Sequence, residues 1–331
     1  MKPTVDLERL IEYAIKAPSG HNTQPWHFSI EKSEIKVHPD FSRALPVVDS
    51  DNHALYISLG CAVENIVLAA SQYGLRSNVS IKKTEDSKPF ILISLTADDS
   101  IQEDELVNYI EKRQSTRNEY SDQQVPEVDL NTLINSFEFE GIKLIILTEE
   151  SEIDELEPLI IEGSNRQFQN KDFVKELVDW FRFSKAEAEK KGDGLWIKSM
   201  GLPNMPRFIG NIVMKHFVTA KSEAKRWKKL IDATSGFALF VTDKNDVHHW
   251  VRLGRAFQRF GLTATKLDIS HAHVNMPCEE LEVRKELAAK FNLGSKHPLL
   301  LIRFGYSEPM PYSSRRDLEE VLTNKKGKTH G

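Results

Sequence analysis

Four short segments of the sequence combine residue types that could bind a cofactor. The first is a polar turn after a predicted helix, where Ser19 is followed by Gly20, His21, Asn22 and Gln24. Serine, asparagine and glutamine side chains both donate and accept hydrogen bonds. The turn could therefore contact the edge of a heterocycle or a chain of hydroxyls. The alternative is a polar turn that satisfies its own groups.

Two further segments pair arginines with hydroxyl side chains. Arg113, Ser115 and Arg117 lie near the end of a predicted helix, and Arg315 and Arg316 follow two serines beyond the last predicted strand. Two guanidinium groups with a hydroxyl donor suit a phosphate. The simpler alternatives are a cation that complements the helix dipole for the first segment, and solvated surface for the second.

The fourth segment contains two histidines, His271 and His273, shortly before Pro277 and Cys278. A His-x-His pattern with a nearby cysteine is typical of some zinc sites. However, the sequence has no second cluster of cysteine or histidine at ligand spacing. A backbone loop that leads to the proline is the simpler interpretation, so we predict no metal.

Hydrophobic periodicity predicts the elements that position these segments. Between 151 and 233 the chain is strongly helical, with breaks at 192–194 and 201–206. The other predicted helices begin after Asp6 and cover 54–73, 103–113, 246–269 and 279–291. The predicted strands are 26–31, 34–38, 78–82, 89–95, 142–148, 237–242 and 298–304.

Two of the predicted helices share the pattern L-G-x-A-x5-L-x-A, at a constant offset of 194 residues. A glycine inside a helix costs about 1 kcal/mol relative to alanine. Glycines at the same register therefore indicate a close helix–helix contact, and the repeat indicates duplication. Coincidence between two apolar helices is the alternative. The matched residues are Leu59, Gly60, Ala62, Leu68 and Ala70 with Leu253, Gly254, Ala256, Leu262 and Ala264.

Composition excludes several classes of protein. The 331 residues include 44 Lys+Arg and 49 Asp+Glu, and the net charge of −5 argues against a surface that binds nucleic acid. The two cysteines, Cys61 and Cys278, are too few for a disulfide scaffold and are expected to be reduced in the cytoplasm. We predict no signal peptide, and no apolar run approaches the roughly 20 residues of a membrane helix. Residues 325–331 form a basic tail that we expect to fray.

Together the four segments resemble the FMN-dependent nitroreductase superfamily. Residues 17–28, APSGHNTQPWHF, are similar to the flavin-contacting turn of that family. Arg113, Ser115 and Arg117 match its R-x-[ST]-x-R phosphate-binding segment, and a basic pair after the last strand commonly completes the phosphate pocket. The loop before Pro277 falls where the family presents backbone groups to the flavin ring.

The order of these segments resembles the tandem (Acg-like) branch, in which one chain imitates the family dimer. Here the Asn-Thr-Gln-Pro-Trp turn comes first and the Arg-Ser-Arg segment second, and neither occurs twice. The resemblance implies an α+β nitroreductase-like fold with two homologous halves and central helices flanked by mixed β-sheets. We expect halves at 1–100 and 101–331, a helical insertion at 151–233, and one composite flavin site.

The resemblance also implies a function and its site. The phosphate of FMN would contact Arg113, Ser115, Arg117, Arg315 and Arg316. Ser19, Gly20, His21, Asn22 and Gln24 would face the ribityl chain or the ring edge. Backbone groups of His273, Val274 and Asn275 would face the flavin ring.

The implied activity is reduction of nitro, quinone or similar acceptors by NADH or NADPH through FMN, with ping-pong hydride transfer and no catalytic side chain. The alternatives are a non-enzymatic protein that stores flavin beneath a lid at 192–205, and a remnant without flavin. Expected partners are a small-molecule acceptor but no nucleic acid or membrane. The protein would be a pseudo-dimeric monomer or a homodimer.

Overall fold

The first part of the described chain forms a helix, a hairpin, a long helix and a second hairpin. This computed structural model describes residues 6–323, and residues 1–5 and the basic tail at 324–331 lie outside it. The Asp6 side chain accepts a hydrogen bond from Glu8 N (3.0 Å), which caps the first helix. These elements are α1 (Leu7–Ala14), β1 (Trp26–Glu31), β2 (Glu34–Pro39), α2 (His53–Ser71), β3 (Leu75–Lys83) and β4 (Pro89–Ala97).

The second part repeats this pattern around a large helical insertion. The insertion separates two neighbouring strands of the second sheet, so the sheet is built from distant segments. The elements are α3 (Glu127–Ile134), β5 (Ile142–Leu147), α4 (Glu150–Gln169), α5 (Lys171–Trp180), β6 (Phe181–Arg182), α6 (Lys185–Lys191), β7 (Leu195–Trp196), α7 (Arg207–His216), α8 (Ala220–Asp232), β8 (Gly236–Thr242), α9 (Val247–Lys266), β9 (Ser270–His273), α10 (Met276–Glu279), α11 (Leu281–Lys290), β10 (His297–Gly305) and α12 (Leu318–Val321).

The two four-stranded sheets have the same topology. The first has the order β1-β2-β4-β3 and the second the order β5-β8-β10-β9. In each sheet the long helix, α2 or α9, connects the second strand in sequence to the third. The expected α+β class is confirmed, but all neighbouring strands in both sheets are antiparallel rather than mixed. Within the described chain, parallel pairing occurs in the short β6–β7 ribbon of the insertion and at one isolated bridge between Phe28 and Leu322.

The two halves meet where α2 crosses α9, and the repeated glycines face each other there. A Cβ atom added at Gly60 would lie 2.3 Å from the carbonyl oxygen of Val251. One added at Gly254 would lie 2.0 Å from the carbonyl oxygen of Ile57. Both backbones therefore approach more closely than any side chain allows. The predicted close contact is found, but it joins the two copies to each other.

Polar contacts on the same two helices set their relative rotation. The Glu64 side chain is only 1% exposed. Its carboxylate accepts hydrogen bonds from Arg255 Nε (2.7 Å) and Arg259 NH1 (2.9 Å). Next to this ion pair, Gln258 Nε2 donates to Asn65 Oδ1 at 2.7 Å. A buried ion pair is sensitive to geometry, because removing either partner leaves an uncompensated charge.

Helix α2 corrects one expectation from the sequence. With 19 residues and an apolar composition, it is long and apolar enough to cross a membrane. From the sequence we expected no such segment. In the structure 83% of its apolar window is buried by protein. The helix is apolar over a wide arc because it packs against α1, α9 and the first sheet.

Two predicted elements near the candidate site are wrong. The helix expected at 103–113 is only a 3₁₀ turn at Glu105–Tyr109. After it the chain extends along the second sheet, where Thr116 N donates to the carbonyl oxygen of His271 (3.0 Å). The expected loop at residues 271–273 belongs to β9, which pairs with β10. In both places contacts between distant segments override the local pattern.

We expect Gly254→Ala to lower the free energy of unfolding by about 2 kcal/mol or more. Overpacking two helix backbones should outweigh the roughly 1 kcal/mol that alanine gains in a helix. Urea denaturation followed by circular dichroism measures the change. Gly261→Ala in the same helix is the matched control. Its added Cβ would meet side-chain atoms of His271 at 3.1 and 3.3 Å, rather than the backbone of the crossing helix. An equal loss in both variants would contradict the assignment of the crossing.

Candidate functional site

The polar turn between α1 and β1 has a strained backbone. Three non-glycine residues adopt positive φ angles: His21 (46°), Asn22 (54°) and Gln24 (51°). Each left-handed residue costs about 1–2 kcal/mol, so surrounding contacts must hold the turn in place. Such concentrated strain is typical of a loop that positions ligand-binding groups.

The side chains of Asn22 and Gln24 supply those contacts. Asn22 Nδ2 donates to the carbonyl oxygens of Gly194 (3.0 Å) and Ser314 (3.1 Å). Gln24 Nε2 donates to the carbonyl oxygen of Gly192 (2.8 Å), and Gln24 Oε1 accepts from Arg316 N (2.8 Å). The turn is thereby fastened to the helical insertion and to the C-terminal segment. These amides hold protein segments together, and little of their hydrogen-bonding capacity is left for a ligand.

The two arginine segments meet at one cavity of about 510 Å³. Two hydrogen bonds hold the chain around the first segment against the chain before the second. Met310 N donates to Gln114 Oε1 (2.7 Å), and Tyr312 Oη donates to the carbonyl oxygen of Lys112 (3.0 Å). Ser19 and Asn22 of the polar turn also line this cavity. The predicted residues that line it are Ser19, Asn22, Arg113, Ser115, Arg117, His273, Arg315 and Arg316.

No carboxylate of the described residues forms an ion pair with Arg113, Arg117 or Arg315, although Glu111 and Asp317 also line the cavity. Burial lowers the pKa of Arg113 and of Arg117 to about 10. Burial, together with Arg113 and Arg117, lowers the pKa of Arg315 to about 9. Arg113 Nε and NH1 and Arg315 Nε are buried without a hydrogen-bond partner within residues 6–323. Unsatisfied donors around a cavity with this much positive charge make it suitable for an anion.

Arg315 and Arg316 differ in how much of the guanidinium is available. Arg316 NH1 donates to the carbonyl oxygen of Gln24 (3.1 Å) and NH2 to that of Glu320 (2.9 Å). Arg315 NH1 donates to Asn22 Oδ1 (3.1 Å) and to the carbonyl oxygens of Ser313 and Ser314 (both 3.2 Å), and its NH2 donates to that of Lys16 (3.3 Å). Only its Nε is buried without a partner in the described chain. Both guanidinium groups therefore hold protein segments together, and Arg315 keeps one buried donor, Nε, that is unpaired within the described chain.

A second cavity, of about 220 Å³, adjoins the first. The two share Ser19, Arg117 and His273, so they form a continuous space with a cationic end and a more apolar end. The residues that line the second cavity but not the first include Gly20, His21, Asn275, Leu45, Trp227, Leu230 and Met276. A pocket of apolar walls with a few polar groups is typical of a small-molecule site.

The helical insertion builds one wall of the second cavity. Phe173 and Leu177 of α5, Leu195 of β7 and Met200 line it. The turn that carries Asp193 is anchored: Asp193 Oδ1 accepts from Arg182 NH2 (2.6 Å), and Asp193 Oδ2 accepts from Arg43. The insertion therefore shapes the site.

The histidines of the fourth segment are neutral groups beside the arginines. Burial, then Arg117 and Arg113, lower the pKa of His273 to about 3, although its ring is open to both cavities. Burial, then Arg113, lower the pKa of His271 to about 3. Among residues 6–323, the one group of three His, Cys, Asp or Glu side chains that could hold a metal ion is Asp49, Asp51 and His53. The zinc interpretation of residues 271–278 therefore has no support.

Two of the predicted site residues line neither cavity. Gln24 is fully buried and makes the contacts described above. Val274 is fully buried in the core, and its N–H donates to the carbonyl oxygen of Leu301 (2.9 Å), so it is not free to contact a ligand. The expectation that the Val274 N–H faces the flavin ring is wrong, because this N–H bonds to β10 of the second sheet.

Two arginines of the second cavity were missed from the sequence. Arg303 lies on β10 and Arg226 on α8. The signal for Arg303 is a single charge inside the apolar strand LLLIRFG. Arg226 belongs to a helix rich in lysine, KSEAKRWKK, where nothing distinguishes it from solvated neighbours.

Comparisons with known proteins support the family resemblance. No family model matches the chain. Two proteins of Mycobacterium tuberculosis, from strains CDC 1551 and H37Rv, carry NAD(P)H nitroreductase in their names. Each is 22% identical to this chain over 333 residues, which cover 96% of it and 90% of the relative. The predicted resemblance to the nitroreductases is thus confirmed over nearly the whole chain, and membership of the tandem branch stays a prediction.

Among solved structures, similar chains include two nitroreductases. One, from Bacteroides fragilis, has bound FMN; it is 15% identical with a TM-score of 0.38, and the match covers 69% of this chain and 96% of that chain. The other is the FMN-dependent nitroreductase of Mycobacterium smegmatis in complex with NADPH. It is 13% identical with a TM-score of 0.44, over 66% of this chain and 97% of that chain.

We expect the flavin-free protein to be stabilised by millimolar phosphate. A ligand that binds only the folded state raises the melting temperature by mass action. Arg113→Met removes a buried charge whose Nε and NH1 have no partner among the described residues, so the phosphate-free protein should keep or gain stability while the phosphate effect shrinks. Differential scanning fluorimetry measures both. An undiminished phosphate shift in Arg113→Met would contradict the anion site.

Proposed function

We propose that this chain is an FMN-binding oxidoreductase that uses NADH or NADPH to reduce nitro, quinone or similar acceptors. One observation carries the proposal. A cavity lined by three arginines that have no ion-pair partner among the described residues continues, through Ser19, Arg117 and His273, into a more apolar cavity. This succession of a dianion site and a partly apolar slot suits a flavin mononucleotide, whose phosphate carries about two negative charges.

The residues present fit this cofactor. Arg113, Arg117 and Arg315 would hold the phosphate, with the Ser115 hydroxyl as a neutral donor. Their buried unpaired donors, Arg113 Nε and NH1 and Arg315 Nε, would then be satisfied. Ser19 Oγ accepts from Gln24 N (2.9 Å) and keeps its own hydroxyl proton for a ligand in either cavity.

Bound FMN would supply the redox chemistry, taking hydride from the nicotinamide and passing electrons to the acceptor in ping-pong turnover. The protein would bind the phosphate, exclude water and set the charge around the ring. Desolvation within the site, with Arg117 and Arg113, lowers the pKa of His273 and favours its neutral ring. It could therefore donate or accept one hydrogen bond without adding charge. No side chain is assigned as an acid, base or nucleophile.

A second candidate function is flavin storage without catalysis. It is favoured by the insertion, whose residues Phe173, Leu177, Leu195 and Met200 wall the second cavity. The anchored Asp193 turn would hold this wall in place. Such a cover would slow the entry of nicotinamide and acceptor while leaving the phosphate site intact.

The proposal extends to assembly and location. The shared strand order of the two sheets, together with the facing Gly60 and Gly254, supports a tandem chain that imitates a dimer. One composite flavin site would then form in each chain. Cys61 and Cys278 are free and buried, as expected for a cytoplasmic protein, which we propose this to be.

We expect Arg117→Ala to weaken FMN binding about tenfold or more, because a hydrogen bond to a charged group contributes about 1.5–3 kcal/mol. Fluorescence quenching of free FMN during titration measures the dissociation constant. Arg252→Ala is the control, since that side chain lies on α9 and is 39% exposed. Unchanged affinity in Arg117→Ala would remove Arg117 from the phosphate site.

Anaerobic addition of NADPH or NADH to the FMN-loaded protein separates the two candidate functions. Bleaching of the flavin absorbance, followed by its recovery on adding menadione or nitrofurazone, is expected for the reductase. A flavin that neither nicotinamide reduces would reject the reductase and favour storage. A purified protein that binds no flavin would reject both.

A further inference from the structure

Arg303 is a buried cation with an unpaired hydrogen-bond donor in the described chain. Its residue is 1% exposed, in the middle of the apolar strand β10. Its guanidinium carbon lies 4.0 Å from the ring centroid of Tyr120, and NH2 donates to the carbonyl oxygen of Asn118 (2.6 Å). NH1 is buried without a hydrogen-bond partner in the described chain. A fully buried guanidinium is costly unless a partner satisfies its donors.

This guanidinium lies at the wall of the second cavity, together with Arg226 of the insertion. The two are close enough to repel, since Arg226 contributes, after burial, to lowering the pKa of Arg303. Arg226 NH1 is 3.3 Å from Glu223 Oε2, and its side chain is 35% exposed. Its charge is thus partly offset by an ion pair, whereas Arg303 has no ion pair in the described chain.

The carboxylates of the second cavity are engaged elsewhere. Asp49 accepts from Ala54 N (2.9 Å) and Leu55 N (2.8 Å) at the start of α2. Glu279 accepts from Gln167 Nε2 (2.7 Å) and Asn275 Nδ2 (3.1 Å). No carboxylate of residues 6–323 forms an ion pair with Arg303, although Asp49 and Glu279 also line the cavity and Glu119 acts to raise the pKa of Arg303.

Charge balance separates this site from the flavin phosphate. The phosphate carries about two negative charges, and Arg113, Arg117 and Arg315 already face the first cavity for it. Arg303 and Arg226 line only the second cavity, beside apolar side chains. They are therefore left over for another anion, and the neighbouring apolar walls suit an aromatic ring that shares this cavity with the flavin ring. Among those walls are Leu177, Leu195, Trp227 and Leu230.

We propose that Arg303, assisted by Arg226, binds an anionic group on the electron acceptor, so that the protein prefers aromatic acceptors bearing a carboxylate. The chemical role of such a ligand rests on the proposed function, but its binding does not. Specificity of this kind arises because a neutral analogue leaves the buried guanidinium without its partner.

Para-nitrobenzoate and para-nitrobenzyl alcohol test the proposal, because they differ in charge but little in size. Isothermal titration calorimetry on the FMN-loaded protein should show the carboxylate binding about tenfold more tightly or better. In Arg303→Met and Arg226→Gln the preference should fall to about twofold or less, with the alcohol unaffected. Glu223→Gln removes the ion-pair partner of Arg226 and should strengthen carboxylate binding.

Several results would overturn the proposal. These are equal affinities in the native protein, a preference that survives in both arginine variants, and a loss that affects both ligands alike. A change in the NADPH-to-NADH affinity ratio without a change in the nitrobenzoate preference would assign the anion to the coenzyme and reject the acceptor. If Arg303→Met does not fold, Arg226→Gln and Glu223→Gln decide the outcome, and Arg252→Gln serves as the charge-removal control.

Failure of the proposed function gives a different result. A protein that binds FMN without accepting hydride from either nicotinamide fails as a reductase, yet calorimetry still reports whether it discriminates the two ligands. Conversely, turnover of the neutral acceptor menadione with no carboxylate preference supports the reductase and rejects the anion site.

Discussion

The crossing of α2 and α9 is the constraint on which the rest of the molecule depends. Only glycine at positions 60 and 254 allows the two backbones to approach this closely. The Glu64 ion pairs then fix the rotation of the helices. Helix α9 also reaches the site, because a Cβ at Gly261, further along it, would lie 3.1 Å from His271 Nε2 and 3.5 Å from Arg113 Cδ.

The site stores unfavourable free energy that a ligand can release. Its polar turn has three left-handed residues, and its arginines are held together away from solvent. Contacts of Asn22 and Gln24 with distant segments keep this arrangement folded. An anionic ligand would offset the repulsion and add to stability, so ligand binding and folding are thermodynamically linked.

The two sheets share a strand order but the parts of the chain that carry them differ in their site segments, which is why one composite site is proposed. Both sheets have the same strand order, yet only the first half carries the Asn-Thr-Gln-Pro-Trp turn and only the second the Arg-Ser-Arg segment. The insertion between β5 and β8 adds another asymmetry, since it walls one cavity and brings Arg226 to it. The acidic net charge of the chain hides this local concentration of arginines.

The sequence by itself determined the features that depend on neighbouring residues: the long helices, most strands, the paired glycines, the polar turn and the arginine segments. It could not determine features that depend on distant contacts. Residues 110–113 leave the predicted helix because the chain extends to the second sheet, where Thr116 pairs with His271. Asn22 bonds to Gly194 and Ser314, which are 172 and 292 residues away. Arg303 and Arg226 acquire a role only because the fold places both beside one apolar cavity. Local periodicity records which face of an element is buried, whereas tertiary packing decides what that face meets.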